Sequence, residues 1–306
     1  MRRRDFLKNT AASSALLSLS GLSLSSFTTN PTIKKLTVLH TNDTHSQIDP
    51  FPKNHPRNPN MGGVARRAAL IETIRKEEEH VLLLDAGDIF QGTPYFNFYG
   101  GELEYKVMSM MKYDVATIGN HDFDNGLEGV LAQLPNATFE FVSANYDFKN
   151  TILDTHVKPY KILNKAGIKI GIFGLGVELS GLVDPKLYKE TKYLDPVEIA
   201  TDTAKQLKEV EKCDLIICLS HLGFEYKNEP EKISDLNLAK KTRNIDLIIG
   251  GHTHTFLEKP VIQKNLDGQE VLVNQVGAYG INLGRIDFYI DEFKNVTPGG
   301  SRKIVI

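Results

Sequence analysis

Tryptophan is absent from the 306 residues, and cysteine occurs only twice. With no Trp and with aromatic residues at 8 % and scattered, the chain lacks the stacking platform that single-stranded nucleic acid needs. An excess of one charge is missing as well. The 36 Lys and Arg stand against 38 Asp and Glu, a formal net charge of −2, so no general attraction to nucleic acid follows. Cys213 and Cys218 border or lie in the apolar run DLIIC and match no zinc-binding spacing. In one extended strand they would stand roughly 16 Å apart, beyond the reach of a disulfide. Buried, unpaired thiols are the expectation.

Long hydrophobic runs are also scarce. Ala11–Leu24 carries no charge and no polar face beyond serines, which argues against an ordinary amphipathic first helix. It is too short and too weakly apolar for a membrane span, so no stable membrane insertion is expected. A charged start, a short apolar centre and small residues beyond it describe an export signal. The stretch Arg3-Arg4-Asp5-Phe6-Leu7-Lys8 resembles the twin-arginine export motif. Residues 1–30 are therefore expected to be a signal directing the protein to the periplasm. Ser-x-Ser arrangements around residues 20–26 offer tolerable cleavage sites but assign none.

From Lys35 onward, short β-rich runs alternate with longer helical ones. LTVLHT, HVLLLDA, DVATIG, EFVSAN, IKIGIFGL, CDLIICLS, DLIIGG and EVLVNQVG are mostly continuous apolar runs, the mark of strands buried on both faces. VARRAALIETIRKEEE, LEYKVMSMMKY, EGVLAQL, PVEIATDTAKQLKEVEK and ISDLNLAKKTRN carry helical spacing between them. This order predicts an α/β domain with at least one largely parallel sheet. No internal repeat and no Pro/Gly/Ser-rich linker divides residues 35–290, so residues 31–306 are expected to form one domain. The longest irregular stretch is FPKNHPRNPNMGG, residues 51–63.

Polar residues recur just after the strand ends: Asp43 and His45, Asp85 and Asp88, Asn120 and His121, Asn145, His221, then His252 and His254. In open α/β sheets, ligands bind outside the carboxyl ends of the strands. A single cluster such as GNHDFDNG is accounted for by a turn, since Asn, Asp and Gly tolerate tight turns. Five clusters carrying metal-type donors, expected at one edge of one sheet, call for a shared purpose. The set holds imidazoles, carboxylates and an amide but no thiolate, which suits an open catalytic centre better than a closed structural one. Seven donors exceed the needs of one tetrahedral ion. Two ions about 3.5–4 Å apart, sharing a carboxylate, would use them all, clamp an in-line displacement at phosphorus and acidify a bridging water.

TNDTHS (41–46), GDIFQGTP (87–94), GNHDFDNG (119–126), SHLG (220–223) and GGHTH (250–254) resemble, in order, the five blocks of the calcineurin-like metallophosphoesterases. MGGVARR, VSAN and VNQVGAYGINLGRID are similar, more narrowly, to the periplasmic 5'-nucleotidase and UDP-sugar hydrolase family. The resemblance covers residues 35–290. It implies a four-layer αββα sandwich, two mixed sheets flanked by helices. It further implies one metal held by Asp43, His45 and His254, another by Asn120, His221 and His252, and Asp88 bridging both. His121 would lie beside the phosphate, with Asp124 fixing its orientation, and a metal-bridging hydroxide would attack phosphorus. Gly119 and Gly126 would let the loop turn. The ions would be divalent; Mn, Zn, Co and Fe all accept these ligands.

The neighbouring residues have plainer expectations. His40 is expected to pack in the core, and His55, His80 and His156 to lie at the surface. Asp85 would support a ligand or the GD turn, and Asp122 would cap or face solvent. Arg66 and Arg67 could meet phosphate, though a helix surface is the expected place for both. The run KEEE would be a solvated helix face. Ser46 stands where many members of the family have Gly. The resemblance also implies a second, nucleoside-binding domain after the catalytic one, whereas GRIDFYID is the last expected strand before Ile306; a separate exported chain supplying that domain is the expected partner. The expected reaction is 5'-nucleotidase-type hydrolysis of nucleotides or related phosphoesters. Cleavage of cyclic phosphodiesters or of a sulfur-linked group by the same fold is the alternative reaction, and a non-catalytic metal-binding subunit is the alternative class.

Overall fold

The computed structural model describes residues 33–306, which form one compact unit. The proposed export signal lies outside the described residues. Among those residues, no helix is long and apolar enough to cross a membrane.

The chain runs β1 (Lys34–Thr41), α1 (Val64–Glu77), β2 (Val81–Asp85), α2 (Pro94–Tyr99), α3 (Glu102–Met110), β3 (Val115–Thr117), α4 (Gly126–Gln133), β4 (Glu140–Val142) and β5 (Tyr146–Asp147). It continues through β6 (Tyr160–Lys165), β7 (Ile168–Gly176), α5 (Pro185–Tyr188), β8 (Lys192–Tyr193), α6 (Pro196–Lys205), β9 (Leu215–His221) and α7 (Asp235–Lys241). Strands β10 (Leu247–Gly250), β11 (Val261–Lys264), β12 (Glu270–Asn274), β13 (Asn282–Ile290) and β14 (Val296–Val305) complete it.

Two six-stranded mixed sheets result, in the orders β14-β13-β1-β2-β3-β4 and β11-β12-β10-β9-β7-β6, with β5 and β8 as a separate pair. In the first, β1 to β4 are parallel and β13 and β14 form an antiparallel extension of the sheet beyond β1. In the second, β7, β9, β10 and β12 are parallel between antiparallel edges β6 and β11. Alternate side chains of each strand serve different layers. Val38, Leu82, Leu84, Ile217, Leu219 and Ile249 fill the space between the sheets. Their neighbours Leu39 and Leu83 turn outward to Ile71, Tyr105 and Met108 of α1 and α3, while Ile216, Cys218 and Ile248 meet Ala200, Leu238 and Ala239 of α6 and α7. Covered faces on both sides explain why the strands are continuous apolar runs. Each fully buried Leu, Ile or Val contributes about 1.5–3 kcal/mol, so the inner layer sets the spacing of the two sheets. Cys213 and Cys218 are buried and unpaired.

Five strands were not legible in the sequence, the two-residue β5 and β8 and three strands at sheet edges. GRIDFYID is followed by β14, whose VTPGGSRKIV contains Pro298, Gly299 and Gly300. Among the described residues it pairs only with β13, and an edge strand tolerates a proline that a central one would not. The edge strands β6 and β11 lack a continuous apolar run and are only partly buried, as their position at the margins of a sheet allows. The expectation of one sheet edge also changes. The donor-bearing turns lie at the ends of β1, β2 and β3 of the first sheet and of β9 and β10 of the second, so both sheets contribute donors.

Candidate metal centre

The loop after β1 is laid along the loop after β2. Asp43 N–H donates to Gly87 O at 2.9 Å, His45 N–H to Asp88 O at 3.1 Å and Ser46 N–H to Ile89 O at 2.9 Å. This zipper forces unusual backbone on both loops. Asp43, His45 and Asp88 have φ of 49°, 48° and 54°, and His252 and His254, after β10, have 71° and 50°. Left-handed backbone is uncommon for residues other than Gly, and it concentrates where surrounding structure holds a site in place.

Asp43, His45 and His254 form one group whose ligand atoms lie within 4.8 Å of one another, and Asp88, His221 and His252 form another. Asn120 joins the second, its Oδ1 standing 2.9 Å from His252 Nδ1. Asp88 Oδ2 lies 3.0 Å from His221 Nε2 and 3.9 Å from His45 Nε2, and so faces both groups. Every one of the seven expected donors therefore reaches one of the two groups.

Two of the imidazoles are anchored through Nδ1, which leaves Nε2 facing the site. His221 Nδ1 donates to Ala86 O at 2.7 Å and His45 Nδ1 to Phe90 O at 3.2 Å. A carbonyl can only accept, so both neutral rings keep the Nε2 lone pair, the tautomer a metal requires. His221 Nε2 is buried and faces Asp88 Oδ2 at 3.0 Å, and His45 Nε2 lies 2.9 Å from His254 Nε2. Converging lone pairs inside a buried site are costly unless a cation sits among them. With two carboxylates and an amide oxygen, these donors suit divalent ions.

Electrostatics of the protein groups alone follow from the crowding. Burial would lower His221, but Asp88 and Asp43 beside it push it up to about 10. Burial and the neighbouring His221 bring His252 down to about 4. Burial alone would raise Asp88; His221, His45 and His121 hold it well below the usual carboxylate range.

His121 belongs to neither group. It opens a short 3₁₀ turn, His121–Phe123, and its backbone N–H donates to Asp88 Oδ1 at 2.8 Å. Its Nδ1 lies 3.0 Å from Asp124 Oδ2, a partner that raises its pKa. The ring is 5.4 Å from that of His45, centroid to centroid. Its side chain is 37 % exposed, where His221, Asp43 and Asp88 are at 2 % or less. Gly119 is required here by close approach rather than by a turn, since a Cβ would strike the Asp88 carboxylate. Gly126, with φ 71°, does turn the chain.

Two expectations are corrected. Asp122 neither caps a helix nor faces solvent. It is 1 % exposed, and its Oδ2 accepts Asp88 N–H at 3.0 Å and Gly119 N–H at 2.8 Å. Its Oδ1 accepts Ile89 N–H at 2.9 Å and Phe90 N–H at 3.1 Å. One carboxylate thus ties the loop carrying Asp88 to the loop carrying Asn120, and burial raises it to about 7. Arg67 is not on a helix surface either; it is 3 % exposed, while Arg66 stays outside, bonded to Asn60.

Other neighbours are supports. Asp85 accepts from Thr41 Oγ1 and from Gly87 N–H, holding the GD turn. Asn145 pairs with the backbone of Gly176 and reaches neither group. His40 is buried in β1, and His156 is exposed. Sequence reading missed Asn42, whose Nδ2 donates to Asp43 Oδ2 at 2.6 Å and to Gly277 O at 2.6 Å. Its place beside Asp43 in TNDTH was the available signal. It missed Gln275 too, which braces the GGHTH loop by donating from Nε2 to Gly251 O and accepting at Oε1 from Thr253.

Comparison with known proteins agrees with this geometry. Residues 36–256 match the family described as calcineurin-like phosphoesterase. Over 293 residues the chain is 36 % identical to snake venom 5'-nucleotidase of Crotalus adamanteus, covering 89 % of this chain and 48 % of that protein. Over 294 residues it is 34 % identical to 5'-nucleotidase of Homo sapiens, covering 89 % and 49 %. Among solved structures, a 5'-nucleotidase precursor from Thermus thermophilus superposes with a TM-score of 0.80 at 32 % identity, covering 89 % of this chain and 54 % of that one. The chain spans about half the length of the curated relatives it matches.

Proposed function

Because the chain belongs to the calcineurin-like phosphoesterase family, we propose that these two donor groups each hold a divalent ion and that the protein hydrolyses phosphoesters, 5'-nucleotides foremost. The observation that carries this reading is the convergence of seven donors from two sheets on two adjoining points, with His121 beside them. Asp43, His45 and His254 would hold one ion; Asn120, His221 and His252 the other; Asp88 would serve both. Bound there, such a pair supplies Lewis acidity at the phosphoryl oxygens and an activated water for in-line attack.

The chain's own groups do the rest. The carbonyls of Ala86 and Phe90 hold the His221 and His45 rings in one tautomer, and Asp122 keeps the Asp88 loop in register with Asn120. Asp124 engages Nδ1 of His121 and leaves Nε2 free to meet the phosphate and hold a proton for the departing oxygen. Positioned groups of this kind typically contribute roughly 10²–10⁴-fold in rate. A metal-binding subunit without catalysis has no use for a His121–Asp124 pair set apart from the ligands, which favours an enzyme.

Nucleotides are favoured as substrates because several similar proteins that cover most of the chain are named 5'-nucleotidases. A centre of this kind grips phosphate but little beyond it, and remote binding energy normally supplies specificity. We further propose that the nucleoside is held by a segment equivalent to the unmatched half of those relatives. Export to the periplasm by the twin-arginine route rests on residues 3–8. The test is a phosphoester panel with metal-reconstituted protein, comprising AMP, a cyclic phosphodiester, a thiosulfonate and an aryl phosphate. Preference for AMP supports the reading; preference for the cyclic or sulfur-linked compound overturns it.

A further inference from the structure

Behind the first donor loop lies a cavity of about 10 Å³ lined by Ser46, Arg67 and Glu104 together with Thr44, Ile89 and Met108. Three of its five polar lining residues, Ser46, Arg67 and Glu104, share an anomaly. Ser46 is 1 % exposed, Arg67 3 % and Glu104 2 %. Yet Ser46 Oγ, Arg67 Nε and both carboxylate oxygens of Glu104 have no hydrogen-bond partner among the described residues. An unsatisfied buried polar group costs about 1–3 kcal/mol, more when charged, so four such atoms on three residues lining one small cavity call for a hydrogen-bonding partner.

The donor and acceptor inventory decides which. Arg67 Nε–H can only donate and an ionised Glu104 only accept, while the Ser46 hydroxyl does either. A cation is opposed by the guanidinium and an anion by the carboxylate. The two charges offset each other, which selects a neutral ligand able to accept and donate at once. The volume is at the threshold for a single water, and a buried water needs two to four polar partners. We propose that this cavity is a built site for one internal water, which accepts from Arg67 and Ser46 and donates to Glu104.

The water would anchor the loop bearing Asp43 and His45 to α1 and α3 from behind. It would also explain Ser46 itself. This residue has φ 52°, backbone that Gly adopts more easily, and the hydrogen bond of its hydroxyl would offset that strain.

A crystal structure of the full chain at a resolution that shows ordered water tests this directly. The expected result is density for one water within hydrogen-bond distance of Ser46 Oγ, Arg67 Nε and the Glu104 carboxylate. An empty cavity, or one closed by a direct Arg67–Glu104 ion pair, would overturn the proposal. A second measurement uses Ser46→Ala, Glu104→Gln and the double variant in equilibrium unfolding. Partners of one water should be coupled, the double variant departing at least about two-fold in unfolding equilibrium constant from the product of the single effects. Simple multiplication of the two effects would count against a shared water. Should Glu104→Gln fail to fold, the density in the unaltered protein still decides.

Discussion

Asp122 Oδ2 accepts the backbone N–H of Asp88 at 3.0 Å, and the same oxygen accepts Gly119 N–H at 2.8 Å. A residue outside both donor groups thus determines where the Asp88 carboxylate, which faces both groups, sits. Asp122→Ala would leave four buried N–H groups without acceptors, at about 1–3 kcal/mol each. The variant should lose several kcal/mol of stability and retain less metal. Asp122→Asn, with one acceptor oxygen left, should fall between it and the unaltered protein. Thermal unfolding and metal analysis check this; a fully metallated alanine variant of unchanged stability would show that Asp122 is dispensable.

Division of labour around Asp88 and His121 makes a second expectation. His121→Ala should lower kcat roughly 10²–10⁴-fold while both ions stay bound, because the ring lies outside both donor groups. Asp88→Ala should instead lower metal content. Atomic absorption on both variants, beside their kinetics, distinguishes the roles; the reverse pattern of metal loss would refute the assignment.

Much of this site was legible because its candidate donors are chemically distinctive and follow apolar strands: Asp43, Asp88, Asn120, His221 and His252 stand at or just past the ends of β1, β2, β3, β9 and β10. The inner strands were legible for a related reason, since burial on both faces leaves continuous apolar runs. What escaped was whatever depends on a partner distant in sequence. Asp122 in GNHDFD looks like a turn residue until Ile89 and Phe90 are seen donating to it from 32 to 33 positions away. Arg67 sits in a helix whose charged face looks solvated until Gly280 is found packed against its guanidinium. Edge strand β14 carries proline and glycines that only the adjacent β13 makes compatible with a sheet.

His40 offers a test by pH. It is fully buried, and burial pushes its imidazole from 6.5 down to about 3. Asn274 Nδ2 donates to its Nε2 at 2.8 Å. In the unfolded chain the ring protonates near pH 6.5, so between about 6.5 and 3 the unfolded state holds a proton that the folded state lacks. Stability contributed by neutral His40 is therefore present above pH 6.5 and declines as pH falls through that window. His40→Gln should flatten the dependence by about one proton, near 1.4 kcal/mol per pH unit. Urea unfolding at several pH values in this window checks it; identical slopes would contradict it.

Export is tested with Arg3 and Arg4 both changed to Lys. The variant should accumulate in the cytoplasm while the unaltered protein reaches the periplasm. Unchanged fractionation would point to another route or to no export.

The most direct measurement is a metal titration of the chelator-stripped protein, following bound ion and phosphoester hydrolysis together. Two ions per chain, with activity rising as the second site fills, is the expected result. Full activity without metal, or saturation of both binding and activity at one ion, would contradict a binuclear centre built from Asp43, His45 and His254 on one side and Asn120, His221 and His252 on the other, with Asp88 between them.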